Sequence, residues 1–385
     1  MSPYERYLKR VAAVGALADT ASVLSPRCSG LAPADVRRIG VLAQWGIGDA
    51  ILLLPLLQGL RRAYLSASIE LIGKPWLAEL MSGEGCCDRT HVLVPPWTAY
   101  TGKYRPSLRT WGGYVEQLRA LRRHNFDWLI ATRFDPRETL QMRLLRARRT
   151  FGFRAAGGRR WITDDFGITR AAHDALHRAA LAARLSWTIT GSEVSPVARF
   201  HNRPAEQGGA RQWFLDHGYQ AGAILAVHTG AGNPIRRWRE SGFAGVLRLL
   251  RPPPSFTVFL MADDNGRRPD PSPLPHAFWR NGLAETKELL SLCDVFLGTD
   301  SGIMHMAAAS GCAVVTAFGP TEPRWFGPSG DRHAVAKIDP MPCRPCYDAC
   351  IYERPFCMEI EDAALAACVA ERLVAAQLAP RATMQ

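Results

Sequence analysis

Residues 296–309 read Phe296-Leu297-Gly298-Thr299-Asp300-Ser301-Gly302-Ile303-Met304-His305-Met306-Ala307-Ala308-Ala309. An apolar run of strand length turns through hydroxyl, acid, hydroxyl and glycine into a helix of small residues. A strand that feeds directly into a helix is the repeating unit of an α/β fold. The first N–H groups of that helix have no partner inside it, and the helix dipole makes this end positive. A phosphate seated at Ser301-Gly302 is favoured on both counts. Gly302 permits close approach, and the alanines let the helix lie near the sheet. His305 follows Ser301 by four residues and shares its face. It is either a histidine satisfied beneath the loop or part of the anion site. Gly319-Pro320-Thr321-Glu322-Pro323 follows the next strand and adds a rigid turn at the same sheet edge.

The same alternation extends outward from this stretch. In the C-terminal half, strands are expected over residues 223–228, 256–261, 295–298 and 313–318, with helices over 240–250, 287–293 and 301–310. In the N-terminal half, strands are expected over 39–43, 68–72, 91–94 and 127–131. Helices there are expected over 50–64, with Pro55 near its start, and over 75–81, 108–123, 136–146 and 173–190. Two runs of strand-helix units imply two parallel, doubly wound sheets, with ligands outside the carboxyl ends of the strands and between the two domains. Residues 195–220 lack a core-strand pattern and carry the junction. The expected division is a helical segment over 1–37, one Rossmann-like domain over 38–205, a second over 206–340, and a Cys-rich loop with a last helix over 341–385.

Composition narrows the function classes. The chain has 385 residues, 47% of them apolar, enough for two cores. No window has the ~18 uninterrupted apolar residues of a membrane span, and the N-terminus does not read as a signal peptide, so a cytoplasmic protein is expected. The net charge of +12 favours phosphate-bearing partners. Its arginines are scattered in pairs and no nucleic-acid motif is present, so nucleic acid is not expected as a partner. The segment 1–37 reads equally as a packing helix or as a peripheral contact with an anionic membrane.

Two more loops carry chemistry. In Trp45-Gly46-Ile47-Gly48-Asp49, the glycines let the backbone turn sharply out of a strand. Asp49 reads as a helix cap, as a carboxylate projecting over the strand end, or as both. In His228-Thr229-Gly230-Ala231-Gly232-Asn233-Pro234-Ile235-Arg236-Arg237-Trp238, a strand ends in small residues and a guanidinium pair. Such a loop either binds phosphate oxygens bidentately or is a solvated basic turn. In Arg133-Phe134-Asp135-Pro136-Arg137, Asp135 is a reserve carboxylate or the cap of a helix beginning at Pro136, and Arg133 is suited to an anionic acceptor.

Taken in order, these loops resemble glycosyltransferase family 9, the ADP-heptose heptosyltransferases that build the lipopolysaccharide core. The matching pieces are Gly48-Asp49 with Pro55, His228-Thr229-Gly230-Ala231 with Arg236 and Trp238, Asp300-Ser301-Gly302 with His305-Met306-Ala307-Ala308-Ala309, and Gly319-Pro320-Thr321. They span residues 38–330. The resemblance implies a GT-B fold, two Rossmann-like domains facing across a cleft, with ADP-heptose or a related nucleotide-sugar on the C-terminal domain and the acceptor on the N-terminal one. Asp49 matches the general base. Thr229, Gly230, Arg236, Asp300, Ser301, Gly302 and His305 match the donor site. Arg133 and Asp135 are acceptor-side candidates. Asp263, in Met261-Ala262-Asp263-Asp264, is a candidate for the ribose, and Gly282-Leu283-Ala284 for the base. The resemblance implies inversion at the anomeric carbon and catalysis that needs no metal.

Cys343, Cys346, Cys350 and Cys357 lie within fifteen residues as C-x2-C-x3-C-x6-C. At this spacing, thiols in a reducing compartment suit a structural zinc or iron ion, or else stay as thiols or pair. Family members that modify autotransporter proteins resemble this with an iron-binding cysteine site and ring assembly. The acceptor thus stays open between lipopolysaccharide core and protein, and an oligomer stays open with it. A nucleotide-sugar-binding module without catalysis is the reading from another class.

Overall fold

The structure is a computed structural model. It describes residues 3–23, 36–98, 107–201, 208–260, 275–347 and 350–378. The chain divides into two compact units at Val197 and Ala198.

The first unit opens with helix α1 (Pro3–Val23). It continues as β1 (Arg38–Ala43), α2 (Ile47–Ile51), α3 (Leu54–Ala63), β2 (Ser68–Gly73), α4 (Leu77–Leu80), β3 (Arg89–Val92), α5 (Leu108–Arg122), β4 (Trp128–Ile130), α6 (Pro136–Leu145), β5 (Arg149–Gly152), β6 (Asp164–Asp165), α7 (Arg170–Ala175) and α8 (Arg178–Thr190). Its six strands pair in the order β3-β2-β1-β4-β5-β6, all parallel. Ile39, Val41, Leu42, Ile69, Leu71, Leu129 and Ile130 are sealed from solvent, as expected for a sheet covered on both faces.

The second unit runs α9 (Gly208–Asp216), β7 (Ile224–Val227), α10 (Glu240–Leu249), β8 (Phe256–Leu260), β9 (His276–Trp279), α11 (Leu283–Leu292), β10 (Val295–Thr299), α12 (Gly302–Ser310), β11 (Ala313–Ala317), α13 (Pro323–Phe326), β12 (Ala334–Ala336) and α14 (Asp362–Leu378). The strand order is β12-β11-β10-β7-β8-β9, again all parallel. Written by rank within each unit, the two orders are the same: 3-2-1-4-5-6. Each sheet therefore reverses direction between its first and fourth strands, where a doubly wound sheet opens a crevice for a ligand. α14 returns to the sheet and buries Leu365, Val369 and Leu373 in the core formed with Leu225, Leu297 and Val315.

Several elements differ from the expectation. The helix expected over 50–64 is two helices, broken at Leu52-Leu53, with Pro55 in the first turn of α3, where its missing N–H costs nothing. The helix expected over 173–190 is also two. His177 ends the run and caps α8, its Nδ1 accepting from the Ala179 N–H at 3.2 Å. Strands β5, β6, β9 and β12 were not expected. No helix among the described residues is long and apolar enough to cross a membrane. α3 lies close against α8 because Gly59 faces Ser186; a Cβ at Gly59 would stand 1.8 Å from the Ser186 hydroxyl.

Candidate active site

In the first unit, the loops after β1 and β4 meet at the strand-order reversal. Gly46 is the cap of α2, and Asp49 is the third residue of that helix. Asp49 Oδ2 accepts the Gly46 N–H at 2.9 Å, so it closes the helix start from within rather than from the cap position. Its other oxygen, Oδ1, accepts from Arg133 Nη2 at 2.7 Å. Asp49 keeps 29% of its side chain exposed and Arg133 24%. The pair borders a hollow that Gln44, Trp45, Thr132 and Arg178 also line, above Leu181 of α8.

A residue that the sequence reading passed over holds this arrangement in place. Glu138, on the first turn of α6, is 1% exposed. Its Oε1 accepts from Trp45 Nε1 at 3.0 Å, and its Oε2 accepts the N–H groups of Thr132 and Arg133 at 2.8 and 3.0 Å. One carboxylate thus ties the loop after β1 to the loop after β4. Burial, and then the nearby Asp135, push its pKa up to about 7, while its hydrogen bonds pull the other way. The Arg133 guanidinium lies 5.1 Å from the centre of the Trp45 ring, and Arg137 lies 5.6 Å from both Trp45 and Trp97. An acid three residues after the Asp135 cap was the available signal, since that position reaches back over a helix start.

Asp135 is the N-cap of α6. It accepts the Arg137 N–H at 2.9 Å and is 2% exposed. The Arg137 guanidinium holds both its oxygens. It is therefore committed to the helix start, while Asp49 and Arg133 face the hollow.

The second unit repeats the geometry with the roles exchanged. β7 ends at Val227. His228 is buried, its Nδ1 3.1 Å from the Leu260 carbonyl oxygen. The loop continues through Thr229 and Gly230 to Asn233, whose side chain caps a short 3-10 turn over Pro234–Arg236. Arg236 then reaches Asp300 at the end of β10, Nη1 to Oδ2 at 3.3 Å. Thr321 Oγ1 donates to the same Asp300 oxygen at 2.6 Å. Thr299 Oγ1 donates to the Gly230 carbonyl at 3.1 Å and joins the two loops. Asp300 is buried, with 5% of its side chain exposed. It anchors Arg236.

Ser301 caps α12, its Oγ accepting the Met304 N–H at 3.2 Å. The hydroxyl is thus turned to the helix, and Gly302 and Ile303 supply the N–H groups that lack a partner within α12. His305 is buried at 5% exposure beneath this turn. Gly282 caps α11. Trp238 serves the core, with Nε1 donating to the Ile360 carbonyl at 3.2 Å. Asp263, with Met261-Ala262-Asp263-Asp264, lies outside the described residues.

The cysteine segment packs beneath the turn after β11. The Cys346 N–H donates to the Pro320 carbonyl at 2.9 Å, and Arg344 Nε to the Gly319 carbonyl at 2.8 Å. A Cβ at Gly319 would meet Met358 Sδ at 2.3 Å and Cys357 Sγ at 2.9 Å. Cys346 and Cys357 are buried. Burial, and then the neighbouring Cys343, Cys357 and Cys350, push the Cys346 thiol up to about 12. Among the described residues, no three of Cys343, Cys346, Cys350 and Cys357 bring their sulfurs within 4.8 Å of one another. Their arrangement does not fit the four-thiolate ion expected from the spacing; the segment buttresses the loop that carries Thr321.

Two sheets of order 3-2-1-4-5-6, each with charged loops at its reversal, define a GT-B fold. The comparisons agree. E. coli ADP-heptose lipopolysaccharide heptosyltransferase II superposes with a TM-score of 0.63 at 15% identity, over 88% of this chain and 99% of that one. E. coli heptosyltransferase WaaC with ADP superposes with a TM-score of 0.61 at 15% identity, over 77% and 92%. The model of glycosyltransferase family 9 (heptosyltransferase) matches residues 279–354, which carry the Asp300 turn and the Thr321 loop. The Haemophilus influenzae lipooligosaccharide heptosyltransferase 2 is 30% identical over 59 residues, which is 15% of this chain and 17% of that relative's length. These matches show the fold, and over residues 279–354 they show similarity to glycosyltransferase family 9 (heptosyltransferase); the chain spans under a fifth of the curated relative's length.

Proposed function

We propose that the protein is an inverting glycosyltransferase that moves a heptose from ADP-heptose to an acceptor hydroxyl of the lipopolysaccharide core, at the cytoplasmic face of the membrane. The reading rests on one observation above the others: Arg236 is fixed by the buried Asp300 just ahead of the α12 N-terminus. A cation held rigidly beside backbone N–H groups is what a departing diphosphate requires. The ADP-heptose and lipopolysaccharide assignments draw on the names of the similar proteins.

In this mechanism the acceptor oxygen attacks the anomeric carbon on the face opposite the diphosphate. The new carbon–oxygen bond forms as the carbon–diphosphate bond breaks, and its electron pair leaves with ADP. Asp49 accepts the acceptor proton. Arg236 and the N–H groups of Gly302 and Ile303 take up the charge that grows on the leaving group. Thr229 and Gly230 line the donor side, with His305 beneath it. Arg133 engages the acceptor and orients Asp49.

A donor screen tests this reading. The protein is incubated with ADP-heptose and with UDP-sugars, each with and without a lipid A-core acceptor. Acceptor-dependent release of ADP is expected, with a product heavier by one heptose. Asp49→Asn is expected to bind donor and release no ADP. Release from UDP-sugars alone would overturn the donor assignment, and unchanged turnover in Asp49→Asn the base assignment.

A further inference from the structure

Glu70 on β2 is fully buried, with a side-chain exposure of 0%. Its Oε1 accepts from Ser68 Oγ at 2.9 Å and faces Arg38 Nε at 3.2 Å. Its Oε2 lies 2.6 Å from His91 Nε2 on the adjoining edge strand β3. The His91 ring in turn stands 4.4 Å, centre to centre, from that of His124, which follows the C-terminal end of α5. One ligand atom from each of Glu70, His91 and His124 can be chosen so that all three lie within 4.8 Å of one another. No other group of three such residues does so among the described residues. The cluster lies toward the starts of β1 and β2, whereas Asp49 follows the end of β1.

We infer that Glu70, His91 and His124 form a binding site for a divalent transition ion of the zinc kind. Two imidazoles and a carboxylate suit such an ion and leave a position open to water. Burying a carboxylate is costly unless its oxygens are satisfied. Here one oxygen is anchored by Ser68 and Arg38, which fixes the plane of the group, and the other points at His91. That is the support by which an outer shell orients a ligand. The negative end of α5 adjoins His124 and favours a cation, which offsets part of the repulsion from Arg38. Among the described residues the His124 ring makes no hydrogen bond, and both imidazoles are partly exposed, so the ion has a way in. An ion bound through Nε2 of His91 takes the place of its hydrogen bond to Glu70, and the neutral ring then carries its N–H on Nδ1.

Cobalt(II) titration of the full metal-free chain tests the site, because the visible spectrum separates nitrogen and oxygen ligation from thiolate ligation at the cysteines. One equivalent of cobalt without a sulfur charge-transfer band is expected. His124→Gln leaves the Arg38–Glu70–His91 contacts untouched and should weaken this binding at least ~10-fold, the loss an outer-shell partner alone can cause. His91→Gln should do the same, with circular dichroism confirming that both variants fold. No bound cobalt, cobalt seen only with a thiolate band, or equal affinity in His124→Gln would each overturn the inference.

Discussion

The two units solve the same geometric problem with opposite hands. In each, an aspartate and an arginine pair across the strand-order reversal, one from the loop after the first strand and the other from the loop after the fourth. In the first unit the aspartate comes from the first loop and the arginine from the fourth: Asp49 and Arg133 at 2.7 Å. In the second the origins are exchanged: Arg236 and Asp300 at 3.3 Å. Exposure separates them further. Asp49 retains 29% of its side-chain surface and Asp300 only 5%. A carboxylate that meets solvent can exchange its partner for a substrate hydroxyl. A buried one, held by Thr321 as well, can only fix the cation beside it. The same pair of residue types thus presents a part-exposed carboxylate in one unit and, in the other, a guanidinium anchored by a buried one.

The sharpest way to break this comparison is to neutralise each carboxylate in turn. Asp49→Asn should lower kcat by ~10²–10⁴-fold with donor affinity kept, the range for a lost general base. Asp300→Asn should lower kcat by less and raise the donor KM as well, because Arg236 loses its anchor but keeps its charge while the proton acceptor remains. Steady-state kinetics with ADP release read both, and equal kcat losses in the two variants would erase the distinction. Next in size is Arg236→Ala, expected to lower kcat by ~10²–10³-fold, the usual cost of a group that stabilises a leaving charge. If only substrate binding weakened, Arg236 would be a ground-state contact.

Glu138 allows the first unit's side of the comparison to be tested without substrate. Its pKa is raised to about 7, chiefly by burial, above the ordinary glutamate value of 4.5. The folded state therefore holds this proton where the unfolded chain releases it. Its contribution to stability is fully present below pH ~4.5 and declines as pH rises toward ~7, by up to about 3 kcal/mol. Denaturant unfolding at several pH values should show that slope, and Glu138→Gln should flatten it. Above pH ~7, where Glu138 is a carboxylate, the variant should also be less stable, because an amide cannot accept all three N–H groups that the carboxylate accepts. An unchanged slope would mean that Glu138 is not the titrating group.

What the sequence disclosed follows from the physics of each element. The turn at Asp300-Ser301-Gly302 was legible because a buried strand, a cap and a helix of small residues leave a strong local pattern. The loop after β1 was legible for the same reason, although it left Asp49 poised between a cap and a reactive group. The structure finds Asp49 holding both the helix start and Arg133. Strand β5 was not legible: Arg149-Thr150-Phe151-Gly152 alternates poorly, and Thr150 is buried because its hydroxyl donates to the Trp161 carbonyl at 2.7 Å. Strand β6 has two aspartates and stands at the sheet edge, its Asp164 paired with Arg149. Glu138 was missed because its partners are backbone N–H groups five and six residues upstream and an indole from another loop. The cysteine spacing raised a metal reading that the positions of the thiols do not fit, since spacing constrains the chain without fixing how its loop closes.

The smallest effect is expected at the outermost support of the second unit's pair. Thr321 donates to Asp300 but has no formal charge, so Thr321→Val removes one hydrogen bond and leaves the Arg236–Asp300 attraction in place. A buried hydrogen bond to a charged group is worth roughly 1.5–3 kcal/mol, and the acceptor here keeps its arginine, so the lower end applies. If that loss falls on the position of Arg236, kcat/KM for the donor should fall ~10-fold. If it falls on the fold instead, the midpoint of unfolding should drop and the kinetics of the folded enzyme should stay as they were. Thr321→Ser separates these outcomes, because it restores the hydroxyl and removes only a methyl group. Recovery of kcat/KM in Thr321→Ser would show that the hydroxyl in the turn after β11 acts on the donor through Asp300.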